Sequence, residues 1–165
     1  MKHGMTALHL AAEKGHKNVA NVLLLHKAFV NAKSKGGLTP LHLAAQNGYK
    51  DLVEKLINEN KATVDALTLN RKTPLHLAAQ YGRKEVCRSL LYHKIYPADP
   101  KAADSRGQTP LHLAAKNDHS DVVRLFLRFK PELLINASHG EIYLNIAGLS
   151  RLARCHSPLW KGIKY

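Results

Sequence analysis

A chain of 165 residues with 45% hydrophobic content is long enough to bury one sizeable core and is ordinary in composition for a folded protein. Twenty-five Lys and Arg against twelve Asp and Glu give a net charge of +13, a field that attracts nucleic acid, anionic lipid or acidic protein surfaces. No apolar run approaches the ~18 residues a membrane-crossing helix needs, and two distant cysteines, Cys87 and Cys155, give no disulfide framework and fit a reduced, cytosolic setting.

The opening MKHGMTALHLAA imitates a signal peptide faintly, but His9 interrupts the apolar run and the pattern continues through Glu13 and Lys14, so it reads as the start of a repeat. TALHLAA at Thr6 to Ala12 returns as TPLHLAA from Thr39, Thr73 and Thr109, the threonines lying 33, 34 and 36 residues apart. Each copy predicts a short helix. Thr39, Thr73 and Thr109 suit the N-cap, where a hydroxyl accepts from an orphaned amide, and Pro40, Pro74 and Pro110 suit the first helical position, where no N–H is needed. Leu41, Leu43, Ala44 and Ala45 form an apolar stripe with their counterparts in the other copies. A helix of about eight residues is marginal alone and needs a neighbour.

A second helix follows in every copy. In the first it runs from about His16 to His26 after Gly15, with Val19, Val22, Leu23 and Leu24 at helical spacing. After Gly48 the stripe is Leu52, Val53, Leu56 and Ile57; after Gly82 it is Val86, Cys87, Leu90 and Leu91. Cys87 stands in the register of Ala20, Val53 and Val123 and reads as a small core residue. In the fourth copy Asp118 replaces the glycine, and the stripe is Val122, Val123, Phe126 and Leu127. Between copies one and two, AFVNAKSKGG predicts an extended stretch and turn, with Gly36-Gly37 supplying the permissive backbone. Before the third copy the turn glycine is replaced by Arg71, which is expected to strain the turn or to pass the unusual angle to Asn70. The longer HKIYPADPKAADSRG, with Pro97 and Pro100, predicts an irregular excursion.

Pro131 is expected to end the fourth copy. Aligned on Gly140, EIYLNIAG places Ile142 where threonine belongs and Leu144, Ile146 and Ala147 at core positions, a worn fifth copy in which Tyr143, Asn145 and Gly148 replace the proline, histidine and second alanine. RLARCHSPLWKGIKY then forms a basic tail cut by Pro158. Because the chain begins and ends inside repeats, truncation of a longer array is the expected explanation, ahead of an atypical capping element.

A period near thirty-four with a Thr-Pro-Leu-His-x-Ala core resembles the ankyrin-repeat family. The resemblance covers about residues 1–137 and implies an all-α solenoid of stacked helix-turn-helix units with short projecting hairpin loops. The implied division is four repeats at about 1–36, 37–70, 71–106 and 107–137, followed by a degenerate fifth repeat and irregular basic tail at 138–165. It also implies that His9, His42, His76 and His112 are structural residues tying one turn to the next. A metal role conflicts with geometry: stacked helices lie about 8–10 Å apart, whereas zinc ligands each sit roughly 2 Å from the ion. His3, His16, His26, His93, His119, His139 and His156 show no ligand spacing.

The resemblance further implies a concave binding groove, lined by the hairpin tips and by the residues just after the motif. By internal alignment these are Met5, Glu13 and Lys14; Lys35, Leu38, Gln46 and Asn47; Leu69, Lys72, Gln80 and Tyr81; and Arg106, Gln108, Lys116 and Asn117. Leu38, Leu69 and Tyr81 are apolar residues at positions expected to be exposed, which suits anchors for a partner. No Gly-rich phosphate loop, nucleophile elbow, Cys-x-x-Cys or His-Glu-x-x-His pattern occurs, and Asp51 and Glu54 read as a solvated pair. Cys155 has no acid–base partner near it in sequence. Neither an enzyme, a cofactor nor a metal site is expected. The expected partner is another protein, cytoskeletal or a neighbouring part of a longer array. Nucleic acid is not favoured, because the basic residues are scattered and no base-stacking platform accompanies them. The alternative is a stand-alone regulatory module whose basic surface binds nucleic acid or anionic lipid.

Finer tracts point further. HKAFVNAK from His26, ATVDALTLNRKTPLHLAAQ from Ala62, and DSRGQTPLHLAA with NDHSDVVRLFLRFKPEL between Asp104 and Leu134 resemble the cytoplasmic ankyrin array of TRPN (NOMPC-type) mechanosensory transient-receptor-potential channels. The likeness runs over most of Leu8 to Leu134, includes Arg71, and fails beyond Leu134. It implies an elastic tether between a channel and the cytoskeleton, at the cytoplasmic side of the membrane, in a chain with no pore segment of its own.

Overall fold

The computed structural model describes residues 2–130; the worn fifth copy, the basic tail, Pro131 and Cys155 lie outside them. Among the described residues there are eight α-helices and no strand: α1 (Ala7–Lys14), α2 (Lys17–Leu25), α3 (Pro40–Asn47), α4 (Lys50–Asn58), α5 (Pro74–Gln80), α6 (Lys84–Leu91), α7 (Pro110–Lys116) and α8 (Ser120–Phe129). Odd-numbered helices pack side by side in one row, each also packs on the helix that follows it, and α4, α6 and α8 form a second row. The all-α array of helix-turn-helix units is as the resemblance implies.

The start of each odd helix follows from its threonine. Thr6, Thr39, Thr73 and Thr109 adopt extended backbone, and each hydroxyl accepts the amide of the histidine three residues on. Pro40, Pro74 and Pro110 open their helices and are buried there. The alanine pairs that follow are what allows the odd row to close: Ala44, Ala45, Ala78 and Ala79 are fully buried.

The second row carries the larger side chains. Leu52, Val53, Leu56 and Ile57 on α4 and Val86, Cys87, Leu90 and Leu91 on α6 are all buried, as their spacing predicts. On α8 Val122, Val123 and Phe126 are buried, but Leu125 is buried as well and Leu127 only partly. On α2 the helix forms where the spacing predicts it, but its stripe is not buried like the others. Ala20 alone is buried, Leu23 and Leu24 are partly so, and Val19 and Val22 are exposed.

The link between the helices of one unit forms a joint to the next. A Cβ on Gly15 would lie 2.5 Å from the Tyr49 ring, and one on Gly82 would lie 2.7 Å from the His119 ring. Each glycine is thus a notch filled by the residue preceding the even helix of the following unit. Arg83 occupies the same place over Gly48, and its Nε donates to the Gln46 carbonyl at 2.9 Å; His119 Nε2 pairs with the Gln80 carbonyl at 2.9 Å.

The connecting turns are regular, including the one predicted to be irregular. Ser34, Thr68 and Asp104 each bridge a five-residue turn. Their amides donate to the carbonyls of Leu38, Lys72 and Gln108, and their side-chain oxygens accept the amides of those same residues at 3.1, 3.0 and 2.9 Å. After α6 the excursion is confined to the stretch before Ala98, whose amide returns to the Leu90 carbonyl just as Ala62 returns to Leu56. The two extra residues are absorbed there. Arg71 itself takes the left-handed conformation, with φ 57°, so the angle is not passed to Asn70; Gly37 holds the same place with φ 77°.

Candidate functional site

The motif histidines of the first three copies are engaged on both ring nitrogens. In the first three copies the threonine amide donates to Nδ1 at 3.1 Å, so Nδ1 is unprotonated and Nε2 carries the hydrogen. Nε2–H then donates to a carbonyl of the next unit: His9 to Leu38 at 2.9 Å, His42 to Lys72 at 3.0 Å and His76 to Gln108 at 3.1 Å. His112 makes the same Nδ1 contact with Thr109. Burial holds the pKa of His42 down at about 4, and that of His76 is lowered for the same reason. Neutral rings used this way are structural clasps. Burial also pushes the Cys87 thiol up to about 12, which leaves an inert core thiol. Among the described residues no group of three His, Cys, Asp or Glu side chains could hold a metal ion.

These clasps position the surface that the internal alignment singles out. The carbonyls receiving the histidines belong to Leu38, Lys72 and Gln108, three of the predicted groove residues, so the clasp fixes the backbone just before each odd helix. Neighbouring turns are also joined edge to edge. The Lys35 amide donates to the His3 carbonyl, the Leu69 amide to Gly36 and the Ser105 amide to Asn70. Turn tips thus follow one another without a gap, and the residues after each motif run beside them on the odd row.

The predicted residues divide by exposure. Lys14, Lys35, Leu69, Tyr81, Arg106, Lys116 and Asn117 are exposed, with Leu69 at 75% and Tyr81 at 44%. Met5, Glu13, Leu38, Gln46, Asn47, Lys72, Gln80 and Gln108 are partly buried. Leu38 is therefore not an exposed anchor: it packs against the core, as Met5 does. Several of the polar groups have structural partners. Asn47 and Asn117 donate back to the carbonyls of Leu43 and Leu113, and Lys72 Nζ reaches Gln80 Oε1 at 2.6 Å. Leu69 and Tyr81 remain as large apolar side chains held out on ordered backbone.

Sequence reasoning missed Ser34, Thr68 and Asp104, which lock the turns that present Lys35, Leu69 and Arg106. The signal was available: each lies five residues before its motif threonine, and each carries a short side-chain oxygen. No helix among the described residues is long and apolar enough to cross a membrane.

Comparison with known proteins adds two findings. No curated protein matches the chain. A family model described as ankyrin repeats (3 copies) matches it at residues 1–68 and again at residues 41–138.

Proposed function

This chain belongs to the ankyrin-repeat family, and from that premise we propose that it is a non-catalytic scaffold that binds a partner protein along its turn tips and the adjoining ends of the odd helices. Ankyrin repeats generally mediate protein–protein interaction. The observation that carries the reading is the exposure of Leu69, on a turn pinned by hydrogen bonds from both neighbouring turns, together with that of Tyr81 at the end of α5. Binding through rigid aromatic and aliphatic anchors loses little conformational entropy. His9, His42 and His76 are already engaged with the backbone of their own and the next unit, which supports a role in cohesion over one in chemistry. A reduced, cytoplasmic setting is part of the same proposal, and so is the division into four repeats at 1–36, 37–70, 71–106 and 107–137 with a worn fifth repeat and tail at 138–165.

The test is affinity capture with the intact chain against the Leu69→Asp/Tyr81→Asp double variant, with unfolding curves to show that both fold. Proteins captured by the first and lost by the second support the reading. Identical captures remove it.

The finer proposal is an elastic tether: a part of a longer array that joins a mechanosensory channel to the cytoskeleton. It rests on the tracts around His26, Ala62 and Asp104 and on the mechanics of a stack in which each unit contacts only its neighbours. Genomic sequence flanking the coding region tests it. Channel segments downstream favour a tether, and a stop codon with no such segment leaves the scaffold reading alone.

A further inference from the structure

We propose that the cleft between α6 and α8 is a separate docking site that takes an acidic peptide segment of a partner protein, laid along the helix axes. The cleft, about 490 Å³, is lined by Lys84 and Arg88 from α6 and by Arg124 and Arg128 from α8, with Asp121 the one carboxylate among its lining residues. It shares no residue with the turn-tip surface and does not depend on it.

Spacing gives the cluster its selectivity. Each cationic pair is four residues apart on its helix, so its members are separated by about 6 Å along the axis. Carboxylates recur at about that distance on successive turns of a helix or on alternate residues of an extended strand. Three of the four cations are arginines, whose planar forks pair two-pronged with carboxylates. Arg88 lies 3.8 Å from Glu85 with both side chains more than half exposed, a pair that solvent screens heavily. Lys84, Arg124 and Arg128 make no ion pair among the described residues. The adjoining groove between α4 and α6 differs, because there Lys50 is paired with Glu54 and Glu85 also lines the wall. Positive charge is therefore concentrated at one place on the even row instead of being spread evenly along it.

The shape and surroundings favour a peptide over the other polyanions. A nucleic acid strand is held by a row of aromatic faces on which successive bases stack, and Tyr92 is the one aromatic among the residues lining this cleft. A bilayer presents a plane, whereas these cations converge on a groove from two helices, over the buried Leu125.

Fluorescence anisotropy with the full chain tests the proposal, using a fluorescein-labelled glutamate-rich peptide, its glutamine counterpart, a random single-stranded oligonucleotide and phosphatidylserine vesicles. The glutamate peptide should bind saturably and more tightly than the other three. Arg124→Glu/Arg128→Glu should weaken it by about tenfold or more. Lys17→Glu/Lys50→Glu, which removes equal charge from α2 and α4, should change it by less than about twofold. Arg124→Gln/Arg128→Gln, checked by thermal melting, should lose affinity in the same direction and decides the matter if the glutamate variant does not fold. Equal losses from both charge-reversal pairs, tighter binding of the oligonucleotide or the vesicles, or no saturable peptide binding would overturn the assignment.

Discussion

Val19 on α2 and Leu52 and Val86 on α4 and α6 occupy one position in three successive copies, yet Val19 is 52% exposed and the other two are 1% exposed. Leu10 on α1 repeats the contrast, at 49% exposed against 6% for Leu43 and 7% for Leu77. Local spelling is the same in each case, so the difference is made by neighbours. In the middle copies α3, α5 and α6 each pack on a preceding helix of their row, and no helix pair precedes α1 and α2 among the described residues. Each unit has an apolar stripe with two flanks, one closed by its own partner helix and the other only by the unit before it. Cohesion is accordingly greatest in the middle of the stack.

The strongest way to break that comparison is to cut the same atoms from both regions. Leu56 is fully buried, and Leu56→Ala should cost about 2–5 kcal/mol, as expected for a cavity in a close-packed core. Leu23→Ala, at the equivalent but partly buried position, should cost less than half as much. Urea unfolding of the two variants checks this, and equal losses would mean that the first copy is as firmly packed as the second.

Acid should act on the middle through its histidine clasps. The folded pKa of His42 is about 4, against 6.5 for the unconstrained side chain. Between those values the unfolded chain takes up a proton that the folded chain refuses. The stabilisation is thus complete above the unfolded pKa and is lost as pH falls from there toward the folded one. A displacement of this size corresponds to about 3 kcal/mol from His42 alone, and His76 contributes in the same sense. Denaturant midpoints measured down the pH scale should fall over this range, and His42→Asn should flatten the slope while lowering stability at neutral pH.

Smaller effects sharpen the comparison among the turns. Arg71 holds a left-handed backbone where Gly37 holds it in the copy before. Arg71→Gly relieves a steric cost of roughly 1–2 kcal/mol but gives the unfolded chain more freedom, so a net gain of about 0.5 kcal/mol in the thermal unfolding free energy is expected. Smallest of all, Val19→Gln at the exposed flank of the first copy should change stability by less than about 0.5 kcal/mol.

Much of this architecture was legible in the residues. Thr39 and Pro40 announce a helix start through local chemistry that no neighbour alters, and the stripes of α4 and α6 follow from spacing alone. What could not be read depends on contacts between units. Val19 and Val22 carry the same periodicity as their buried equivalents, so nothing in their spelling separates them. Leu38 reads as an exposed anchor because its alignment position is a turn edge, but the clasp from His9 to its carbonyl holds that edge against the core. Arg71 kept the angle because the Thr68 bridge across its turn leaves Asn70 no freedom to take it. Pro97 and Pro100 point to an irregular excursion in the third connection, whereas the hydrogen bond from Ala98 to Leu90 restores the register at once.

The notch at Gly15, Gly48 and Gly82 constrains how such a molecule can change over time. What enters the notch differs each time, tyrosine, then arginine, then histidine, while the recess stays the same. Units built this way should be interchangeable in order, like links cast from one mould, and free to vary in the inserted side chain. The permission stops at Asp118, which holds the same left-handed backbone, with φ 57°, but carries a side chain where the three glycines have none. Duplication or shuffling of copies upstream of that point preserves the coupling, whereas a copy added after it would need a different joint.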